Sequence, residues 1–135
     1  MNIFYVNEDP TDAAICLPDK LVVKMPLESA QMLCTAHHVL ETSDNYMWLY
    51  EHFYALCSEY TTRYGREHLS FTKLNDKLCK LPLNISVAHK TTMPQAMPDE
   101  YKCQDPIKAY RDYMVNEKHY AKWNKIPERQ PMWWS

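Results

Sequence analysis

Only one of the 135 residues is glycine, Gly65, and that scarcity constrains this chain more than any other feature of it. Glycine enters left-handed backbone without steric cost and lets the main chain approach a phosphate closely. A chain holding one glycine therefore builds no glycine-rich phosphate loop and no G-x-S-x-G elbow around a catalytic serine. What a single glycine does well is end a helix. Ser43 or Asp44 caps the start of SDNYMWLYEHFYALCSEYTTRYG, Arg63 sits in its last turn, and Gly65 supplies the left-handed residue after it.

Other start and stop signals divide the rest of the chain. Asp105 followed by Pro106 is an N-cap with a first-turn proline, opening DPIKAYRDYMVNEKHYAKWN, which must stop before Pro127. Ser70 caps a shorter helix, SFTKLNDKLCK, whose Phe71, Leu74 and Leu78 share one face and which ends before Pro82. From Pro82 to Cys103 the prolines Pro82, Pro94 and Pro98, mixed with Thr91, Thr92 and Gln95, predict an ordered loop with little regular structure. Loops of that length in a small domain are often functional. At the front, Asn2–Val6 reads as a short strand, Asp9-Pro10 begins a short helix through Cys16, and Leu83–Val87 is the candidate partner strand. The expected fold is mainly α, one compact helical domain over residues 1–135 built around a central antiparallel helix hairpin, with a short N-terminal strand.

The first arm of that hairpin is VVKMPLESAQMLCTAHHVL. Lys24, Glu28, Gln31, Thr35 and His38 recur in it at alternating steps of four and three, so on a helix they form one polar stripe on an otherwise apolar rod. Two readings compete: the stripe is the solvent side of a core helix, or it lines a pocket. Pro26 interrupts the register, so Pro18 to Met25 can form a separate helix with Pro26 starting the next, which makes Lys24 the weakest member. The short link Glu41-Thr42 folds this arm back against the central helix, where Asn45, His52 and Glu59 form a second polar series.

Charge and cysteine usage narrow the chemistry. Fifteen basic against seventeen acidic residues give a formal charge of -2, without the basic footprint of a duplex DNA binder. The five cysteines are odd in number and scattered singly, with no C-x-x-C pair, and they read as reduced thiols in the core. No H-x-x-x-H spacing occurs, and His37 and His38 point about 100° apart on a helix, so no metal is expected. The N-terminus lacks the basic flank and apolar run of a signal peptide and no apolar span is long enough for a membrane helix, which predicts a soluble intracellular protein. Acid-base or lyase chemistry could draw on Glu28 with His38, or on Lys20 or Lys24 as an imine-forming amine.

Recognition is the other option. Ten Tyr, four Trp and three Phe offer stacking platforms, and dispersed Lys and Arg can meet phosphate without the net charge needed for a long duplex. Trp48, Tyr50 and Tyr54 on the central helix are the stacking candidates, with Arg63, Arg66 and His68 around its end. So many rings in a small domain also predict either an aromatic-lined pocket or self-association into a homo-oligomer.

Several strings carry a resemblance. Asp19-Lys20, Val22-Val23-Lys24-Met25, Leu27-Glu28-Ser29-Ala30-Gln31-Met32-Leu33 and Thr35-Ala36-His37 are joined by Asn45-Tyr46, Trp48-Leu49-Tyr50-Glu51, Glu59-Tyr60-Thr61, Arg63-Tyr64-Gly65, Pro94-Gln95-Ala96-Met97-Pro98, Tyr101-Lys102 and Ala109-Tyr110-Arg111 with Tyr113. Through most of its length the chain thus resembles a family of small proteins of tailed bacteriophages. It departs where that pattern has a Cys and a His flanking Asp-Lys, here Pro18 and Leu21, and in its short passage from Leu40 to Asn45. The resemblance brings no activity with it; it implies a protein of the host cell cytoplasm that acts on host machinery or host defence.

Together these expectations favour a binding protein over an enzyme: an anti-defence sponge that sequesters a nucleotide-type immune signal, with no catalytic residues, metal or cofactor and no membrane or duplex DNA partner. Lys24 or Arg63 would meet phosphate, Glu28, Gln31 and His38 would read polar edges, and Trp48 or Tyr101 would stack a base. The alternatives are a DNA-processing enzyme of glycosylase/lyase type, acting through Glu28 and an amine, and an inhibitor that docks a host protein.

Overall fold

The computed structural model describes residues 2–6, 9–16 and 22–26 as backbone, and residues 35–134 in full. The protein is mainly helical, with a small antiparallel sheet at its N-terminus. Strand β1 (Asn2–Val6) pairs with β2 (Asp9–Cys16), and β2 with β3 (Val22–Pro26), in the order β1-β2-β3. Asn2 faces Cys16 across the first ladder, and Ala14 faces Lys24 across the second. Pro10 has no N–H for a ladder; it falls in the irregularity where the pairing passes from Tyr5↔Ala13 to Val6↔Asp9, the kind of place a strand proline tolerates.

Two expectations change here. The segment through Cys16 is strand β2 and not a short helix, and Val22–Pro26 is strand β3 and not the end of one. The β-branched pair Val22-Val23 favours extended backbone, and Pro26 forbids a helix from running on through it. Lys24 therefore belongs to a strand and not to a helical stripe. The candidate strand Leu83–Val87 is irregular, and Asn84 turns into left-handed backbone at φ 69°. The helix expected after Pro26, with Glu28 and Gln31, lies outside the described residues apart from α1, helical over residues 35–41; the hairpin built on it lies outside them too.

Helix α2 (Ser43–Tyr64) follows after Thr42. Its start is closed one residue earlier than expected, because Thr42 Oγ1 accepts the Asn45 N–H at 3.1 Å. Gly65, at φ +67°, ends α2. Helix α3 (Leu69–Leu78) is capped by His68, whose Nδ1 accepts the Ser70 N–H at 3.1 Å, so the cap is not Ser70. Helix α4 (Pro106–Glu117) begins with Asp105 accepting from Ile107 N–H at 3.0 Å, as its Asp-Pro signal predicts. It stops at Glu117, well short of Pro127, where Lys118 leaves helical backbone and places its ammonium over the rings of Tyr113 and Tyr120.

The chain groups into two compact units. One takes residues up to Tyr46 together with Leu83–Ala96; the other takes Met47–Pro82 and Met97–Ser135. The first unit is fastened by Asn45, which is 1 % exposed. Its Nδ2 donates to the His38 carbonyl at 2.8 Å and to Thr91 Oγ1 at 2.8 Å, while its Oδ1 accepts the Thr91 N–H at 2.9 Å. Ser43 N–H donates to the Ser86 carbonyl at 2.8 Å, so the irregular 83–96 segment satisfies donors that the first turn of α2 leaves open. In the second unit Met97, Ala109 and Cys57 are buried, and α2 and α3 are joined by the Tyr50 hydroxyl donating to Asn75 Oδ1 at 2.8 Å and by Phe53 stacked on Phe71 at 6.1 Å.

Candidate functional site

Tyr54, Cys57, Ser58 and Thr61 follow one another on α2 at steps of three, one and three, the spacing of a single helix face. The turn at Gly65 brings Glu67 and Phe71 back over that face, and the six side chains line a hollow of about 250 Å³ in the second unit. The Tyr54 and Phe71 rings meet edge to face at 5.6 Å and make its aromatic wall. Cys57, Ser58, Thr61 and Glu67 make up the rest of the lining. The Thr61 hydroxyl donates to the Cys57 carbonyl at 3.1 Å, as helix threonines often do. The Thr72 hydroxyl donates to Glu67 Oε1 at 2.6 Å and orients that carboxylate.

Cys57 is the one buried member of the set. Burial, and secondarily the Glu67 charge, push its thiol above the ordinary 9.0, so it stays protonated at neutral pH and is a poor nucleophile. Among the described residues no Lys, Arg or His lines the hollow. The arrangement suits a flat, polar-edged ring inserted against Tyr54 and Phe71, with its N–H groups toward Glu67. It does not suit a phosphate, which would meet a carboxylate and no cation.

None of the described residues expected to bind lines this hollow. Lys24 is on β3, and Glu28 and Gln31 are outside the described residues. His38 is in the first unit, with Nε2 3.4 Å from the Thr91 carbonyl and its own carbonyl held by Asn45. Trp48 stacks on His52 along α2, with ring centroids 5.5 Å apart. Arg63 is engaged on three sides: its Nε donates to Glu59 at 2.7 Å, its terminal nitrogen donates to the Arg129 carbonyl at 3.2 Å, and its guanidinium lies 5.1 Å over Trp123. Trp48 and Arg63 are separated by fifteen positions on one helix, about 22 Å of rise, so they do not grip the same mononucleotide. Tyr101 packs edge-on against Tyr113 at 5.4 Å and donates to Glu117 at 2.6 Å, a bond that, with smaller contributions from burial and nearby charge, holds its phenol up at about 12.

Of the aromatic candidates, Tyr54 alone lines the hollow, joined by Cys57, Ser58, Thr61, Glu67 and Phe71, which the sequence does not single out. The available signal was the pair Ser58 and Thr61, small hydroxyls set at helical spacing among aromatic neighbours. Among the described residues no group of three or more His, Cys, Asp or Glu could hold a metal ion, and no helix is long and apolar enough to cross a membrane. No protein-family model, curated protein or solved structure matches the chain.

Proposed function

We propose that the protein binds a nucleotide-type small molecule, seating its base in the hollow between α2 and α3, and releases it unchanged. The observation that carries this reading is the composition of the hollow: the aromatic pair Tyr54 and Phe71 shares its lining of about 250 Å³ with Ser58, Thr61 and Glu67. That volume falls just below the usual range for small-molecule sites, room for a base and part of its sugar but not for a dinucleotide. The lining supports binding over chemistry, because its thiol is kept protonated and it contains no His or Lys to move a proton or form an imine. Resemblance to proteins of tailed phages gives such binding a purpose: sequestration of a host immune signal in the host cell cytoplasm, a sponge and not an enzyme.

The test is a thermal-shift and calorimetric screen of the purified protein against nucleosides and nucleotides, with chromatography of the recovered ligand. A stabilising, intact ligand whose affinity falls about tenfold or more in Phe71→Ala is the expected result. Recovery of a cleaved or altered ligand would make the protein an enzyme, and silence across the screen would remove the reading.

A further inference from the structure

Residues 122–134 are fastened to the rest of the second unit at a single polar point. Arg129 Nε donates to both oxygens of Glu59 on α2, at 2.9 and 3.1 Å, and its terminal nitrogen donates to the second of them. The Arg129 carbonyl accepts from Arg63, one turn further along the same helix, at 3.2 Å. Among the described residues, every hydrogen bond that crosses between this segment and the rest of the chain runs through Glu59 or Arg63. The other bonds of the segment close on itself: Arg129 N–H meets the Ile126 carbonyl, Gln130 N–H the Pro127 carbonyl, Trp134 N–H the Pro131 carbonyl, and the Gln130 side-chain amide the Trp134 carbonyl.

The remaining attachments pair cations with rings. Arg63 lies over Trp123, Lys125 over Tyr64 at 5.2 Å, and Arg111 over Trp133 at 5.4 Å. Exposed contacts of that kind are weaker than a two-pronged guanidinium–carboxylate pair. No residue of the segment is buried. One group in it even opposes closure: Trp123 Nε1 is shielded from solvent and donates to no acceptor among the described residues, a penalty that opening relieves. Few buried groups and exposed hydrogen bonds are the marks of a segment that opens locally, ahead of the helices it lies on.

We propose that residues 122–134 form a strap latched to α2 by Glu59, which lifts as a unit while α2, α3 and α4 stay folded. Lifting frees Arg63 from both Trp123 and the Arg129 carbonyl and bares the stretch of α2 around Glu59. The strap contributes no residue to the hollow, so its release is a property separate from ligand binding.

Limited trypsin digestion of the intact protein, with initial cut rates mapped by mass spectrometry, tests the latch. In the wild type, cleavage after Lys122 and Lys125 should be at least about tenfold faster than after Lys73 in α3 or Arg111 in α4, because the strap opens without the helices. Arg129→Gln removes the strap's side of the latch at a side chain 49 % exposed, and should speed the two strap cuts by about tenfold more. Circular dichroism should show its helices intact. Arg111→Gln, which removes only a ring contact, should speed them less than about threefold. Strap cuts no faster than helix cuts in the wild type would mean that the segment opens only with the whole unit, and would overturn the strap. Unchanged strap cuts in Arg129→Gln, or equal acceleration in Arg111→Gln, would overturn Glu59 as its latch. Loss of helical signal in Arg129→Gln would overturn both, since the helices would then depend on the segment.

Discussion

Asn45 is a polar side chain that the fold cannot do without. Its amide meets a helix carbonyl and both the hydroxyl and the N–H of Thr91, with 1 % of the residue exposed. Asn45→Ala leaves those partners unpaired in a buried place and should cost about 2–4 kcal/mol in urea denaturation. Asn45→Asp should cost more, because a carboxylate would point an acceptor at the His38 carbonyl. Glu59 presents the opposite case, a charged group whose role depends on pH. Hydrogen bonds from Arg129 and then Arg63 hold its carboxyl down from 4.5 to about 2, against the effect of burial. A carboxyl whose folded value lies below its unfolded one stabilises above the unfolded value, and that contribution disappears as pH falls toward the folded one. Wild type should thus exceed Glu59→Gln by about 1–2 kcal/mol at pH 6, trimmed by solvent at a side chain 31 % exposed. The gap should close between pH 4.5 and 2 in acid titrations of thermal stability. The sequence showed Asn45 and Glu59 only as members of a polar series on one helix; their partners Thr91 and Arg129 lie 46 and 70 positions away, beyond the reach of local pattern.

Elements with local punctuation are the ones the sequence predicts well. Gly65 and the Asp105-Pro106 pair mark helix ends because capping and left-handed backbone are decided within a few residues. At Gly65 an added Cβ meets nothing within 4 Å, so Gly65→Ala isolates the backbone term. It should destabilise by about 1 kcal/mol in chemical denaturation and leave ligand affinity almost unchanged. A larger loss of affinity would mean that this turn does more than end α2. The caps of α2 and α3 each moved by one or two residues, to Thr42 and His68, since neighbouring Ser, Asp and His side chains all suit the position. The N-terminal segment misled for a different reason. Its polar residues repeat at helical spacing, yet its valines and Pro26 favour a strand, and β2 supplies the partner that decides between them. Pairing of that kind is invisible to a window of a dozen residues.

The whole molecule divides its labour between two compact units, one fastened by Asn45 and the 83–96 segment, the other containing the hollow between α2 and α3. The mainly helical class was legible in helix-length amphipathic segments and their terminators. The site was not, because aromatic residues at helical spacing look the same in a sequence whether they fill a core or wall a pocket. Tyr54, Cys57, Ser58 and Thr61 come to line one hollow only when Gly65 turns α3 back and delivers Glu67 and Phe71. The preferred measurement is an NMR titration of the isotopically labelled, full-length protein with a panel of nucleosides and nucleotides. Saturable shifts concentrated in the amides of residues 54–61 and 67–71 with at least one of them are the predicted result. Shifts centred on other residues, or none up to the solubility limit of each ligand, would contradict the assignment of this hollow as the binding site.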